Sequence, residues 1–250
     1  MPTTTDTLRD AFVAARRAHS LVEMAGQPVP AGFDEALSVQ AAVARELGQQ
    51  QAGWKVMIAP DGTALAGLMA GPYLAPGDAY VGAADSPLLV EIELCLRLSG
   101  DLPYRTDQPW TRAQLLDRCD SVFLGIEIVE SRLANWTGVP LPLWVADAVG
   151  HGGYVIGPDL DASILDDYAG HGCFVSLDGE TLYEKPAVHN NGDPLVPVLA
   201  WANRRREAFF DLRAGQIVTT GSLCGGVLAP GKGEIITKLG SLAQVQLTLR

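Results

Sequence analysis

The stretch Leu88-Leu89-Val90-Glu91-Ile92-Glu93-Leu94-Cys95-Leu96-Arg97-Leu98 constrains the rest of the chain most. Aliphatic residues alternate there with Glu91, Glu93, Cys95 and Arg97, the period of a β-strand with one apolar face. Side chains at i and i+2 share a face, their Cα atoms roughly 7 Å apart. Two readings are open at this point. The charged positions form the solvated face of a half-buried strand, or the two carboxylates converge on a hard cation, which takes oxygen ligands. A third acidic ligand elsewhere would favour the cation.

Glu127 is the candidate for that ligand. It lies within Ser121-Val122-Phe123-Leu124-Gly125-Ile126-Glu127-Ile128-Val129, a second strand, on the face of Phe123 and Val129. A carboxylate among aliphatics is poorly solvated, so it needs a cation, a hydrogen-bond partner or a proton. Arg132 is the nearby alternative partner, and Glu130 sits where the strand is ending. Lys55, in Gly53-Trp54-Lys55-Val56, also stands among apolar neighbours. Either its stem is buried with the ammonium reaching water, or the ammonium faces an anionic substrate. Three carboxylates on two strands suit Mg²⁺ or Mn²⁺, which keep positions for water or substrate oxygens.

The remaining candidates are sparser. His151 follows Asp147 in a polar turn; a histidine beside an acid can move protons, and a surface loop histidine is the plainer alternative. His19, His171 and His189 have no evident partner, and no two histidines have metal-ligand spacing. Gly226-Val227-Leu228-Ala229-Pro230-Gly231-Lys232-Gly233 approaches a phosphate loop, but Gly233 replaces the hydroxyl residue and a strand pattern follows, so it reads as a turn. Cys95, Cys119, Cys173 and Cys224 are dispersed, as expected of reduced thiols.

Composition narrows the partners. The chain has 250 residues, 48% hydrophobic and 19% charged, enough for a substantial core. A formal net charge of -11 argues against nucleic acid. The N-terminal residues lack a basic and apolar leader pattern, and no apolar run approaches ~20 residues, so no membrane span is expected and the cytoplasm is the expected location.

The order of elements follows from periodicity and turn chemistry. Helices are expected from Thr5 to about Met24, capped by Thr5 or Asp6, and from Phe33 to Gly48. A strand covers Ala52–Ile58, and Asp61 to Asp85 reads as loops around short segments. A capping box at Thr111-Arg112-Ala113-Gln114 opens a helix to about Cys119. A helical turn spans Asp161–Tyr168, and Asp178-Gly179 turns a hairpin after a strand at His171–Leu177. A helix follows over Asp193–Arg206, then strands at Gln216–Gly221, Glu234–Leu239 and Gln244–Leu249. A composition change divides a helical and loop portion, 1–80, from a strand-rich portion, 81–250, expected to form one structural unit.

At these residues the chain resembles the fumarylacetoacetate hydrolase superfamily, in particular its 2-keto-4-pentenoate hydratase / 4-oxalocrotonate decarboxylase branch. The resemblance is carried by Gly53-Trp54-Lys55-Val56, Glu91-Ile92-Glu93, Gly125-Ile126-Glu127, Val145-Ala146-Asp147 and Val218-Thr219-Thr220-Gly221, whose order and spacing together are specific. It implies an α+β fold in which a mixed β-sheet rolls into a barrel-like body with N-terminal and peripheral helices. It implies Mg²⁺ or Mn²⁺ on Glu91, Glu93 and Glu127, with Lys55 and Thr220 binding substrate and Lys55 and Asp147 in proton transfer. The implied activity is hydration of a 2-oxo or 2-hydroxydienoate acid from aromatic catabolism. Decarboxylation or C–C hydrolysis of a related oxo acid, or a non-catalytic partner subunit, are the alternatives. A homo-oligomer, with a partner enzyme of the same pathway, is also implied. The chain departs from the hydratase pattern at Asp147-Ala148-Val149-Gly150, where Asn and Ser are usual after the Asp. It departs again at Ala64–Met69 and at Gly192-Asp193-Pro194-Leu195. His151, next to the first departure, is the candidate to take over a proton-transfer role.

Overall fold

Eighteen elements organise the computed structural model, which describes residues 2–71, 73–83 and 86–250. Met1, Pro72, Ala84 and Asp85 lie outside it, so the end of the expected 61–85 loop region is not among the described residues. The chain begins with helices α1 (Thr4–Ala18) and α2 (Phe33–Leu47), then strands β1 (Gln51–Ile58), β2 (Ala64–Ala70), β3 (Ala79–Tyr80) and β4 (Leu88–Leu98). Helix α3 (Arg112–Leu116), strand β5 (Cys119–Val129), helix α4 (Leu141–Ala146) and strand β6 (His151–Leu160) follow. Next come α5 (Ile164–Asp167), the hairpin β7 (Gly172–Leu177) and β8 (Glu180–Pro186), and α6 (Leu195–Asn203). Strands β9 (Ile217–Ser222), β10 (Val227–Ala229), β11 (Gly233–Leu239) and β12 (Ala243–Leu249) complete it.

Two mixed sheets result. The first has seven strands in the order β2-β1-β9-β4-β5-β6, with β10 also paired to β4. The second has the order β3-β12-β11-β7-β8. Parallel pairs β1–β9 and β12–β3 sit among antiparallel ones. The α+β class is as expected, but the barrel is not: among the described residues, β2 and β6 remain the open ends of the first sheet. Elements from both sides of residue 80 share each sheet, since β1 and β2 join β9 and β4, and β3 pairs with β12.

Local chemistry explains most boundaries. Thr3, rather than Thr5 or Asp6, caps α1 in a reciprocal capping box with Asp6, and the helix stops at Ala18, where His19 turns left-handed. Thr111 and Gln114 form the expected capping box of α3, but that helix ends at Leu116. Asp178 and Gly179 both take positive φ (49° and 84°), as a two-residue type I′ hairpin requires. The late helix is shorter than its apolar spacing suggests, starting only after Pro194. The largest departure is β2. Ala64-Leu65-Ala66-Gly67-Leu68-Met69-Ala70 holds few strand formers, yet it is buried and pairs with β1 along its length.

The first sheet has two different faces. On one, Trp54, Val56, Leu68, Val90, Ile92, Leu94, Ile126 and Val218 join the main core under the helices. On the other, Met69, Cys95, Phe123, Tyr154 and Ile217 form a smaller apolar cluster. Gln40 of α2 ties the helical layer to the sheet edge: its amide donates to Ala66 O at 3.0 Å and Val145 O at 2.5 Å, and its carbonyl accepts from Leu68 N–H at 3.0 Å. Three main-chain groups inside the core are thereby satisfied.

Candidate functional site

Strand register brings the acidic residues together. Glu91 lies directly opposite Glu127 in the antiparallel β4–β5 pair, and Glu93 is two residues along, opposite Gly125. All three point to the face of the smaller apolar cluster, by the two-residue period of a strand. Their carboxylate oxygens lie within 4.8 Å of one another. The expected solvated face is therefore not solvated: Glu93 and Cys95 are 1% and 0% exposed. Like charges directly opposite on a sheet repel, and buried ones need a counter-charge.

That counter-charge is partly built in. Lys55 of β1 places Nζ 2.8 Å from Glu127 Oε1 and donates to Val149 O at 3.1 Å. His151, at the start of β6, places Nδ1 3.0 Å from the same Oε1. Burial pushes the His151 pKa down, so the ring is neutral and Nδ1–H is the donor to the carboxylate. Burial alone would raise the Glu127 pKa, but Lys55 and His151 outweigh it and hold it below the ordinary value. Arg132, expected as the alternative partner of Glu127, is instead bonded to Glu130.

The other two carboxylates are not so served. Burial raises the Glu91 pKa to about 7, with Glu127 adding and Lys55 opposing. Burial, Glu127 and Glu91 raise that of Glu93 well above the ordinary range. Glu93 Oε2 and Glu127 Oε2 are buried with no hydrogen-bond partner. Two orphaned acceptors beside a third carboxylate fit a hard divalent cation.

A cavity of about 410 Å³ opens over this cluster, lined by Lys55, Glu91 and Glu93 among others. Its mouth arises from the irregular β4 edge. β9 pairs with Glu93–Arg97 and β10 with Leu88–Val90, and the chain between them bends away around Leu223, whose N–H bonds Ile92 O at 2.8 Å. Trp136 and Trp144 stack in the wall, centroids 6.0 Å apart and planes 10° apart.

The backbone before His151 is unusual. Ala148, Val149 and Gly150 have φ of 53°, 57° and 69°, a single left-handed turn containing a β-branched residue. Such a residue at positive φ is a genuine outlier and is held there by its surroundings. The turn presents Val149 O to Lys55 and delivers His151 to Glu127. Gly67 makes room for it, because a Cβ there would meet the Ala148 carbonyl and Lys55 Cγ.

Asp147, expected among the proton-transfer groups, lies elsewhere. It accepts from Ser131 Oγ at 2.9 Å, Arg132 N–H at 2.5 Å and Arg16 Nη2 at 3.2 Å. With His151 it borders a separate small cavity beneath α1 and α2 and does not line the large one. Thr220 does line the large cavity, but its hydroxyl is donated to Leu94 O at 2.9 Å. Its neighbour Thr219, in register with Lys55 and Cys95, carries the free buried hydroxyl. Strand parity separates the two threonines once the register is known. His189 also lines the cavity, Nε2–H donating to Thr220 O at 2.8 Å. The burial of His151 was not legible in the local sequence, since its partner Glu127 comes from another strand.

No family model matches the chain. It is 32% identical over 152 residues to the 2-keto-4-pentenoate hydratase of Paraburkholderia xenovorans strain LB400, covering 58% of this chain and 52% of that protein. The 2-keto-4-pentenoate hydratase 3 of Pseudomonas putida matches to the same extent. The chain thus spans about half the length of the curated relatives it matches, 52%. Among solved structures, 4-oxalocrotonate decarboxylase from Pseudomonas putida G7, complexed with magnesium and adipate, superposes with a TM-score of 0.82 at 17% identity, over 100% of this chain and 99% of that one. No helix among the described residues is long and apolar enough to cross a membrane. In sequence the chain is thus similar to 2-keto-4-pentenoate hydratases over part of their length, and in fold to 4-oxalocrotonate decarboxylase over its whole length.

Proposed function

We propose that the chain is a divalent-metal-dependent lyase of the hydratase kind, acting on a 2-oxo or 2-hydroxydienoate acid. The observation that carries this reading is the pair of orphaned oxygens, Glu93 Oε2 and Glu127 Oε2, beside Glu91 at the base of a large cavity. Glu91, Glu93 and Glu127 would hold Mg²⁺ or Mn²⁺. Such an ion, when bound, polarises the carboxylate and keto oxygens of a 2-oxo acid and stabilises enolate charge. Lys55 contributes the only ammonium at the cavity base among the described residues; it would orient Glu127, supply positive charge to the bound acid and pass a proton there. His151 acts through Glu127 as a positioning residue, and Asp147 holds the turn between α4 and β6.

Decarboxylation of a related oxo acid is the second reading. It is favoured by one feature: Asp147 and His151 stand outside the large cavity, and loss of carbon dioxide needs an electron sink but no group to deliver water.

The test is incubation with Mg²⁺ or Mn²⁺ and either 2-hydroxypentadienoate or a 2-oxo-3-enedioate, with product masses recorded. A gain of water supports the first reading and a loss of carbon dioxide the second. Glu127→Gln should abolish turnover and weaken metal binding at least about tenfold with the fold retained. No bound metal and no turnover of either acid would leave a binding protein, and the proposal would fail.

A further inference from the structure

Two complementary groups at the cavity base lack hydrogen-bond partners among the described residues. Thr219 is fully buried, lines the cavity, and carries an unpaired hydroxyl. Glu93 lines the same cavity, and its Oε2 has no donor. Strand register puts them on one face. Thr219 of β9 pairs with Lys55 on one side and Cys95 on the other, and Glu93 is two residues from Cys95, so all four side chains project to the same side of the sheet. Neither register neighbour takes the hydroxyl proton. An ammonium only donates, and the Cys95 thiol is already paired with the Tyr154 hydroxyl. Thr220, by contrast, is satisfied by Leu94 O. A buried hydroxyl without a partner is unfavourable, so packing alone does not account for a threonine at 219.

We infer that Thr219 is a positioning residue for the metal centre: its hydroxyl donates to the Glu93 carboxylate and fixes the orientation in which Glu93 meets a divalent cation. This rests on the reading of Glu91, Glu93 and Glu127 as the residues that hold the ion. An ionised carboxylate offers about four lone-pair sites over its two oxygens, so Glu93 can accept from Thr219 and still bind a cation. Glu127 is oriented in the same manner, with Lys55 and His151 on one of its oxygens, and Thr219 provides the counterpart for Glu93. Burial, Glu127 and Glu91 push the Glu93 pKa up, while Lys55 and the Thr219 hydroxyl oppose them, as a donor beside that carboxylate does. Without metal the hydroxyl contributes nothing to the core. Replacing it by a methyl of the same shape removes an unpaired polar group, so stability and metal affinity should part company.

The experiment compares the full chain with Thr219→Val, which keeps the shape without the hydroxyl, and Thr219→Ser, which keeps the hydroxyl without the methyl. Mn²⁺ is the probe. Its binding is read from the loss of the free ion's paramagnetic resonance signal, and thermal melting is followed in the absence of metal. Thr219→Val should weaken Mn²⁺ binding at least about tenfold, the usual effect of removing a group that orients a metal ligand. Its metal-free melting temperature should be no lower than the parent's. Thr219→Ser should recover most of the lost affinity. A loss in Thr219→Val of less than about tenfold overturns the inference and leaves the proposed function standing. So does a loss that Thr219→Ser does not relieve, or one that comes with a lower metal-free melting temperature, since either marks a packing role. Failure of the parent chain to bind Mn²⁺ overturns both.

Discussion

Lys55 Nζ lies 2.8 Å from Glu127 Oε1, deep on a face where both side chains are almost wholly shielded from water. Oε1 of the same carboxylate also meets His151, whereas Oε2 has no partner. One oxygen of Glu127 is thus committed to the protein's own donors and the other is left without one.

Lys55→Met removes the built-in counter-charge. Breaking a buried pair by deleting one partner costs about 3–5 kcal/mol, because the surviving charge is left uncompensated. The metal-free variant is therefore expected to unfold at markedly lower urea concentration than the parent. Added Mg²⁺ should restore more stability to the variant than it adds to the parent, since the ion takes over the role of the ammonium. Equal urea midpoints for variant and parent without metal would contradict this.

Metal binding should release protons below neutral pH. The folded chain holds the Glu91 carboxyl at a pKa of about 7, above its ordinary value of 4.5. Between those values the folded state binds more protons than the unfolded state, so this group's contribution to metal-free stability declines as pH rises. Glu127 is shifted downwards and works in the opposite sense, its contribution being lost only in acid. A metal must displace the Glu91 proton. Calorimetry at about pH 6 in two buffers of different ionisation enthalpy should show proton release, and Mg²⁺ affinity should rise from about pH 6 to about pH 8. A pH-independent affinity over that range would contradict the Glu91 assignment.

Gly67→Ala should damage the site from behind. The added methyl meets the Ala148 carbonyl and lies 2.9 Å from Lys55 Cγ, and the left-handed turn has no room to yield. A stability loss of about 1–3 kcal/mol is expected, together with weaker Mg²⁺ binding. Gly71→Ala, where the new methyl meets only Ala52 Cβ at 3.3 Å, is the control and should behave nearly as the parent in both thermal melts and metal titrations.

Gln40→Leu keeps the volume of a buried side chain but removes its three hydrogen bonds. Ala66 O, Val145 O and Leu68 N–H then lose their partner inside the core. Leaving such groups unsatisfied costs about 1–3 kcal/mol each in full burial, so a clear drop in melting temperature is expected. An unchanged melting temperature would show that water replaces the amide.

Much of this architecture was legible locally. The alternation over Leu88–Leu98 delimits β4 residue for residue, and Asp178-Gly179 marks the hairpin because few residue pairs tolerate two positive φ values. The carboxylates and Lys55 were also nameable, since charged residues inside apolar runs demand partners. By contrast, β2 was read as loop. Its alanines and glycine carry little strand preference, and pairing with β1 and burial under α2 are what hold it extended.

Sequence alone therefore determined the strand carrying Glu91 and Glu93, the three acidic candidates and the presence of a lysine among apolar residues. Each follows from periodicities and solvation rules that act within a few residues. Tertiary structure decided the rest: that Glu91 faces Glu127, that Lys55 and His151 share one oxygen of that carboxylate, that Thr219 rather than Thr220 has the free hydroxyl, and that Asp147 belongs to a different cluster. These depend on strand register and on a left-handed turn at 148–150, and both are set by packing between segments far apart in the chain.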